Sequence, residues 1–220
     1  MRNAAFLRRE LVELLRAKGI ADERVLEAIG TVPRHVFIPD SSLQHRAYED
    51  EAIPIRRGQT ISQPFTVAYM TALLDAQPGE RILEVGTGSG YQAAVLVALG
   101  ARVFSVERHK PLLDQTRGVL AEHGISVRTR HGDGMEGWRA YAPYDAIIVT
   151  AAGPDVPPDL VEQLRAPTET KPGGRLVIPI GEHDGQQQIY RIRRTGADEI
   201  ETEPLAKVRF VPLLPGTPGA

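Results

Sequence analysis

Residues 82–94 read ILEVGTGSGYQAA and set three glycines directly between an apolar strand and a helix. Gly86, Gly88 and Gly90 lie in a turn whose backbone angles other residues resist, and their missing side chains let a ligand approach the main chain closely. A strand, a glycine-rich turn and a helix in this order are typical of α/β folds that bind a nucleoside at the turn. Because a lone glycine triplet also fits an ordinary tight turn, the flanking sequence has to decide.

The flanking sequence alternates between strands and helices. Valine- and isoleucine-rich segments predict strands at residues 81–85, 102–107, 126–130, 144–150, 175–180 and 189–193. Apolar residues at helical spacing predict helices near the N-terminus and at residues 22–29, 65–75, 92–99, 111–123 and 159–164. Such alternation indicates a mainly parallel sheet, and the last two strands, joined across Asp184 and Gly185, indicate an antiparallel edge. The predicted fold class is α/β and Rossmann-like, with helices on both faces and an N-terminal helical cap.

Composition excludes several classes of protein and site. The chain has 220 residues, of which 42% are hydrophobic and 25% charged, as is typical of a globular domain. It has no cysteine, which excludes disulfides, thiolate metal sites and cysteine nucleophiles, and its six histidines lack metal-ligand spacing, so we expect no metal. A net charge of −2 gives no field for a nucleic-acid backbone, and no stretch reaches the length of a membrane helix. We therefore expect a cytoplasmic protein without nucleic-acid or membrane partners.

Acidic residues follow the next two predicted strands, at the sheet edge where the glycine turn lies. Glu107 ends the first of these strands, where its carboxylate can accept hydrogen bonds from both hydroxyls of a ribose. Asp133, in HGDGM, follows the second and could receive the exocyclic amine of an adenine. Together with their neighbours Arg108 and Gly134, these residues predict an adenosine site.

The kind of adenosine ligand follows from two departures from the dinucleotide pattern. The pattern G-x-G-x-x-G requires glycine at position 91, which is Tyr91. Glu84 puts a carboxylate near the place of a pyrophosphate, where it repels an anion and attracts an ammonium group. A ligand with adenine, ribose and a cationic amino-acid end fits better. The sequence therefore predicts S-adenosylmethionine as the cofactor, with Glu84 and the three glycines in its binding site.

Further sequence blocks carry a family resemblance. They are GQTISQP (58–64), VERH (106–109), RHGDGMEGW (130–138), YDAIIVTAA (144–152) and RFVPL (209–213), in addition to the glycine turn. With these blocks in order from about Pro33 to Leu213, the chain closely resembles protein-L-isoaspartate O-methyltransferases. The combination of GQTISQP before the glycine turn and a terminal FVPL is the most specific part of the resemblance.

The resemblance implies a reaction and a set of site residues. A methyl group passes from S-adenosylmethionine to the free α-carboxylate of an L-isoaspartyl residue in a damaged protein or peptide. The ester then collapses to a succinimide without the enzyme, and hydrolysis returns part of the damage to aspartate. The implied catalytic residue is Ser62, which on local sequence alone would only cap the helix that begins at Pro64. We expect the substrate to bind as an extended strand, with contacts from Thr60, Ile61, Gln63 and Val211.

Two other functions are compatible with the fold alone. A methyltransferase acting on a small molecule or on RNA would share the Rossmann-like core. A non-catalytic S-adenosylmethionine-binding protein would keep the glycine turn and Glu107, but it would need neither Ser62 nor Thr60.

The chain is expected to form one catalytic domain over residues 1–220 and to act as a monomer. We expect an N-terminal cap with the substrate loop over residues 1–63, a cofactor-binding core over 64–182, and C-terminal edge strands with a tail over 183–220. The tail after Leu214 is expected to fray.

Overall fold

The structure is a computed structural model, and it describes residues 3–182, 185–197 and 199–218. The helices are α1 (Ala4–Ala17), α2 (Glu23–Thr31), α3 (Pro64–Leu74), α4 (Tyr91–Ala98), α5 (Lys110–Glu122) and α6 (Pro158–Glu162). The strands are β1 (Ile53–Pro54), β2 (Thr60–Ile61), β3 (Arg81–Val85), β4 (Arg102–Glu107), β5 (Arg128–His131), β6 (Ala146–Val149), β7 (Arg175–Ile180), β8 (Gln187–Arg194) and β9 (Ile200–Val208). No helix in the three described ranges is both long and apolar enough to cross a membrane.

A seven-stranded sheet in the order β5-β4-β3-β6-β7-β8-β9 forms the centre of the fold. The strands from β5 to β7 pair in parallel, whereas β8 pairs antiparallel with both β7 and β9. The mainly parallel sheet with an antiparallel edge is therefore confirmed. The strand order reverses between β3 and β6, and in open α/β sheets ligands bind outside the carboxyl ends of the strands at such a point.

Both faces of the sheet are covered, because side chains alternate along each strand. On β3, Ile82 belongs to the apolar cluster that includes α1 to α4, whereas Leu83 and Val85 belong to the cluster that includes Leu160 of α6. Burial on both faces explains why the parallel strands read as continuous apolar runs.

Most predicted elements are present, with ends within about two residues of the prediction. Helix α2 does not end before Gly30 but continues to Thr31, and the Asp22 carboxylate caps its first turn. Strand β9 was not predicted, because most of its residues are exposed, none is buried, and they give no apolar alternation. The predicted turn at Asp184 lies outside the described residues.

The N-terminal cap is joined to the sheet domain by a buried cation. The Arg34 guanidinium is fully buried and donates hydrogen bonds to the carbonyl oxygens of Ala47 at 2.9 Å and Glu51 at 3.3 Å. It lies 4.9 Å from the ring centroid of Tyr91, the first residue of α4. Burial lowers the pKa of Arg34 to about 10, so its side chain stays charged at neutral pH. Arg34 therefore fixes the segment 47–51 against α4.

The only tryptophan of the chain lies on the other side of the sheet. The Trp138 ring packs edge-on against Phe104 and Tyr141, with ring centroids 6.2 Å and 4.8 Å apart. Its backbone N–H donates to the Gln163 side chain at 2.8 Å. These contacts hold the loop after β5 against β4.

Candidate active site

A cavity of about 570 Å³ lies at the carboxyl ends of β3, β4 and β6. Its volume is in the usual range for small-molecule sites. The predicted site residues that it brings together are Thr60, Ile61, Ser62, Gln63, Gly86, Gly88, Glu107, Arg108, Gly134 and Val211. Three other predicted residues, Glu84, Gly90 and Asp133, do not line it.

The glycine turn contributes bare main chain to the cavity. Gly86 and Gly88 have φ angles of 94° and 52°, in the left-handed region that favours glycine. A Cβ atom on Gly86 would collide with the hydroxyl of Thr150, which follows β6. A Cβ atom on Gly88 would meet no protein atom nearer than 4.0 Å, so the space above this residue is available to a ligand. The turn therefore needs glycine for two reasons, packing at Gly86 and ligand access at Gly88.

The Glu107 carboxylate accepts a hydrogen bond from the glycine turn, and Glu107 also lines the cavity. Its side chain is buried, and its Oε2 accepts a hydrogen bond from the Gly88 N–H at 2.9 Å. Its Oε1 accepts one from the His109 N–H, also at 2.9 Å. Because each carboxylate oxygen can accept two hydrogen bonds and accepts one here, the fixed carboxylate can also accept hydrogen bonds from the hydroxyls of a ribose.

Glu84 lies outside the cavity, contrary to the prediction that its charge attracts an ammonium group. Because side chains alternate along β3, it points with Ile82 towards the face covered by α4, and it is fully buried. The Ser105 hydroxyl donates to its Oε2 at 2.5 Å and lies 2.6 Å from the Thr87 hydroxyl. Burial raises the pKa of Glu84 to about 8, so its side chain is mostly protonated at neutral pH. Glu84 is therefore a neutral, enclosed carboxyl group that supports the glycine turn through the hydroxyls of Ser105 and Thr87.

Gly90 is needed for packing and does not line the cavity. It precedes the first residue of α4 with a φ of 88°, and a Cβ atom there would lie 2.7 Å from the Thr116 methyl group of α5. The third glycine therefore allows α4 and α5 to approach each other closely.

The Asp133 carboxylate is directed at the C-terminal tail instead of the cavity. Its Oδ1 accepts from the Met135 N–H at 2.8 Å, and its Oδ2 accepts from the Gly216 N–H at 2.5 Å. Arg108 donates to the carbonyl oxygens of Gly216 and Pro215 at 3.2 Å and 3.3 Å. The expectation of a frayed tail is therefore wrong for these residues. Two residues that were predicted to bind adenosine hold the tail in place.

The loop at residues 59–63, which we call the acceptor loop after the role that the family resemblance implies for Ser62, also lines the cavity. It contains β2, which pairs antiparallel with β1. The side chain of Thr60 is exposed and that of Ile61 is buried. Ser62 is half-buried, lines the cavity, and has no hydrogen bond from its hydroxyl to any other residue in the described ranges.

A distant carboxylate caps the helix that follows this loop. Helix α3 has Gln63 at its N-cap position, without a capping hydrogen bond from that side chain. Instead, the Asp50 Oδ1 accepts from the Phe65 N–H at 2.7 Å. The interpretation that Ser62 only caps this helix is therefore wrong, and this cavity residue makes no capping hydrogen bond in the described part of the chain.

Several cavity residues were missed by the sequence analysis. Thr150 donates to the Gly86 carbonyl at 2.8 Å, and its position after β6 at the carboxyl edge of the sheet was an available signal. Phe65 and Tyr69, stacked with ring centroids 6.0 Å apart, form an apolar wall together with Phe210. His109 also lines the cavity. The aromatic wall gave no signal, since aromatic residues on a helix are equally typical of a core.

Comparison with known proteins identifies the family. The family model of protein-L-isoaspartate(D-aspartate) O-methyltransferase (PCMT) matches residues 7–217. The chain belongs to this family. It is 59% identical over 211 residues to a protein-L-isoaspartate O-methyltransferase of Salinibacter ruber, covering 94% of this chain and 91% of that one. It is 50% identical over 208 residues to the enzyme of Christiangramia forsetii, covering 94% and 93%.

Two solved structures of the same family have the same fold. A protein-L-isoaspartate O-methyltransferase superposes with a TM-score of 0.82 at 27% identity, covering 97% of this chain and 66% of that chain. A PCMT structure from Plasmodium falciparum, in complex with S-adenosyl-L-homocysteine, superposes with a TM-score of 0.79 at 27% identity, covering 94% and 98%. These relatives are the basis for the cofactor as well as for the fold.

The PCMT family membership gives the reaction of this chain, the S-adenosylmethionine-dependent methylation of L-isoaspartyl residues in protein repair. It decides against a methyltransferase for small molecules or RNA and against a non-catalytic binding protein. The cavity fits the cofactor, because the open main chain at Gly88 and the buried carboxylate of Glu107 suit a nucleoside.

Proposed function

We propose that Ser62 orients the acceptor carboxylate of an isoaspartyl residue, facing a methyl donor held by the glycine turn and Glu107. The observation that carries this proposal is the hydroxyl of Ser62, which makes no hydrogen bond within the described ranges and lines the same cavity as the glycine turn. S-adenosylmethionine, when bound, supplies a methyl group on a positively charged sulfur. The chain's own residues have to align the carboxylate with that group and shield it from water.

No residue is required as a general base. Free carboxyl groups titrate near pH ~4, so the acceptor is already ionised at neutral pH. The barrier is lowered by alignment of the reacting atoms and by removal of water from the carboxylate. The apolar side chains of Ile61, Phe65 and Phe210 in the cavity wall support this second effect.

Ser62 is suited to hold one oxygen of the acceptor carboxylate and to leave the other free to attack. A hydroxyl donates a single hydrogen bond, so it can fix one oxygen without engaging both. Phe65 carries the first N–H of α3. This N–H cannot bind the acceptor carboxylate, since it already donates to Asp50. The Phe65 N–H is therefore not available to the acceptor, and the Ser62 hydroxyl takes that role.

Substrate contacts of Thr60, Ile61, Gln63 and Val211 belong to the same proposal. The acceptor loop and the segment 209–213 line one cavity, which suits an extended peptide between them. At Val211 the carbonyl oxygen accepts the Ala152 N–H at 2.8 Å, so pairing with a substrate would use the N–H side of this residue.

The test compares matched peptides that contain isoaspartate or aspartate at one position, with labelled S-adenosylmethionine. We expect base-labile methyl ester on the isoaspartyl peptide alone. Ser62→Ala should lower kcat on the order of 100-fold, because the acceptor loses its orienting hydrogen bond, while the Kd of S-adenosylhomocysteine should stay within about twofold.

The matched control is Ser41→Ala, at an exposed serine outside the cavity, which should retain full activity. Equal labelling of both peptides, or of neither, would contradict the repair reaction. A large loss of cofactor binding by Ser62→Ala, with normal turnover at saturating cofactor, would contradict the role of its hydroxyl.

A further inference from the structure

We propose that Asp50 is a positioning residue for the methyl acceptor, and that it acts through the acceptor loop as part of a Lys18–Asp50 clamp. This inference rests on the proposed function of Ser62. The clamp consists of the Lys18 ammonium group, the Asp50 carboxylate, and the two groups that Asp50 holds, the Gln63 amide and the Phe65 N–H. Asp50 itself does not line the cavity.

The Asp50 side chain is almost fully buried, with 5% of its surface exposed, and both carboxylate oxygens are engaged. Oδ1 accepts from the Phe65 N–H at 2.7 Å. Oδ2 accepts from the Lys18 ammonium at 2.6 Å and from the Gln63 amide at 3.2 Å. The backbone carbonyl of Asp50 accepts from the same amide at 3.0 Å. One residue thus holds both neighbours of Pro64, immediately after Ser62.

This arrangement fixes the backbone on the C-terminal side of Ser62. Pro64 has no N–H, so Phe65 offers the first helical N–H of α3, and Asp50 satisfies it. Gln63 is the N-cap residue, and the two hydrogen bonds that its side-chain amide donates to Asp50 restrict its rotation. Ser62 precedes these anchored residues directly, so the orientation of its hydroxyl depends on them.

The clamp also solves an electrostatic problem. A buried carboxylate so close to the acceptor loop would repel the carboxylate of the substrate unless a cation neutralised it. Lys18 supplies that charge, and its ammonium group lies 5.9 Å from the ring centroid of Phe65, a cavity residue. The buried Arg34 guanidinium holds the segment 47–51, which contains Asp50, by its two carbonyl contacts. Two cations of the N-terminal cap therefore determine how the acceptor loop is held.

The test measures kcat and KM for the isoaspartyl peptide, the Kd of S-adenosylhomocysteine, and the Tm of each variant. Asp50→Ala should lower kcat/KM on the order of 30-fold, because the helix N–H, the Gln63 amide and Lys18 all lose their partner. Asp50→Asn keeps one acceptor oxygen for the Phe65 N–H but loses the charge and the second acceptor oxygen, so it should recover only part of this loss. The cofactor Kd should stay within about twofold in both variants, since the glycine turn is not touched.

Asp40→Ala is the matched control. Its carboxylate also lies in the N-terminal cap and also bonds to a backbone N–H, that of Ser42 at 2.9 Å, but it does not contact the acceptor loop. Lys18→Met should raise KM about fivefold, and its effect should not add to that of Asp50→Asn, because Lys18 acts through Asp50.

Three results would overturn the clamp. They are full kcat/KM in Asp50→Ala, an equal loss of cofactor binding and of acceptor turnover, or a failure of Asp50→Asn to recover activity while its Tm is normal. The outcome for Ser62 is separate. Normal turnover of Ser62→Ala would refute the proposed function, whereas impaired Ser62→Ala with normal Asp50→Ala would refute the clamp alone.

Discussion

The two walls of the cavity are built in different ways. The glycine turn, residues 86–90, lies between β3 and α4, and its shape is fixed by backbone angles and by the Glu107 carboxylate. The acceptor loop, residues 59–63, contains only a two-residue strand, and the Asp50 carboxylate from the cap holds its end. The donor wall is therefore part of the sheet itself, whereas the acceptor wall is held by side chains that are distant in sequence.

This difference separates two kinds of mutational effect. A change at a glycine of the donor wall alters the backbone next to the parallel sheet, so it should affect cofactor binding and stability together. A change in the acceptor wall alters the orientation of a few groups, so it should affect turnover while cofactor binding is retained. Pairs of matched substitutions in the two walls test this distinction.

The largest difference is expected between Gly86→Ala and Gly58→Ala. Both glycines have positive φ angles, of 94° and 68°. A Cβ atom at Gly86 would collide with the Thr150 hydroxyl, whereas nothing lies within 4 Å of one at Gly58. Gly86→Ala should lower the free energy of unfolding by ~3 kcal/mol and weaken cofactor binding more than about 100-fold.

Gly58→Ala should cost only ~1 kcal/mol, from its backbone angle alone, and leave the cofactor Kd unchanged. Denaturant unfolding and calorimetry with S-adenosylhomocysteine measure both quantities. Equal losses of cofactor affinity in the two variants would mean that the collision with Thr150 does not decide the effect of Gly86→Ala.

A smaller effect is expected for Glu107→Gln. The amide has one acceptor oxygen, so it cannot accept from the Gly88 and His109 N–H groups in the way that the two carboxylate oxygens do. We expect the Kd of the cofactor to rise about 10- to 30-fold, with kcat at saturating cofactor reduced less than about threefold. Glu122→Gln, on the exposed end of α5, is the control. A drop in kcat with unchanged Kd would place Glu107 on the acceptor side instead.

The smallest effect on activity, and a characteristic one on stability, is expected for Glu84→Gln. Burial raises the pKa of Glu84 from 4.5 to about 8. Between these values the folded state binds a proton that the unfolded state releases, so this group's contribution to stability is complete below pH ~4.5 and declines as the pH rises to about 8. From pH ~5.5 to ~8, the Tm of the wild type should fall relative to that of Glu84→Gln by on the order of 5 °C.

Thermal melts of both proteins in matched buffers measure this difference. Parallel pH profiles would show that Glu84 is ionised in the folded protein and would contradict its neutral state.

The sequence was most informative where the chain is regular. The bounds of β3, β4 and β7 follow from short apolar runs between turn residues, and the carboxyl edge of the parallel sheet brought Gly86, Glu107 and Gly134 together as predicted. Strand pairing is dictated by pattern, and the site follows from the topology.

The sequence was least informative where long-range side-chain contacts decide. Asp50 reaches Phe65 across 15 residues, and Asp133 reaches Gly216 across 83 residues. Neither contact has a local signal, so Ser62 looked like a helix cap and Asp133 looked available to adenine. For Glu84, the alternation along β3 predicts that it points away from Val85, but not that it would be enclosed and neutral.

The position of the single tryptophan offers an optical readout of one wall. Trp138 follows the loop that contains Gly134, and the Gly137 N–H donates to the Gly134 carbonyl at 3.1 Å, so movement at this loop reaches the indole directly. Among the residues that the structure describes, the aromatic partners of this ring are Phe104 and Tyr141, both outside the acceptor loop. We therefore expect the fluorescence of Trp138 to respond to binding next to Gly134 more than to binding at the acceptor loop.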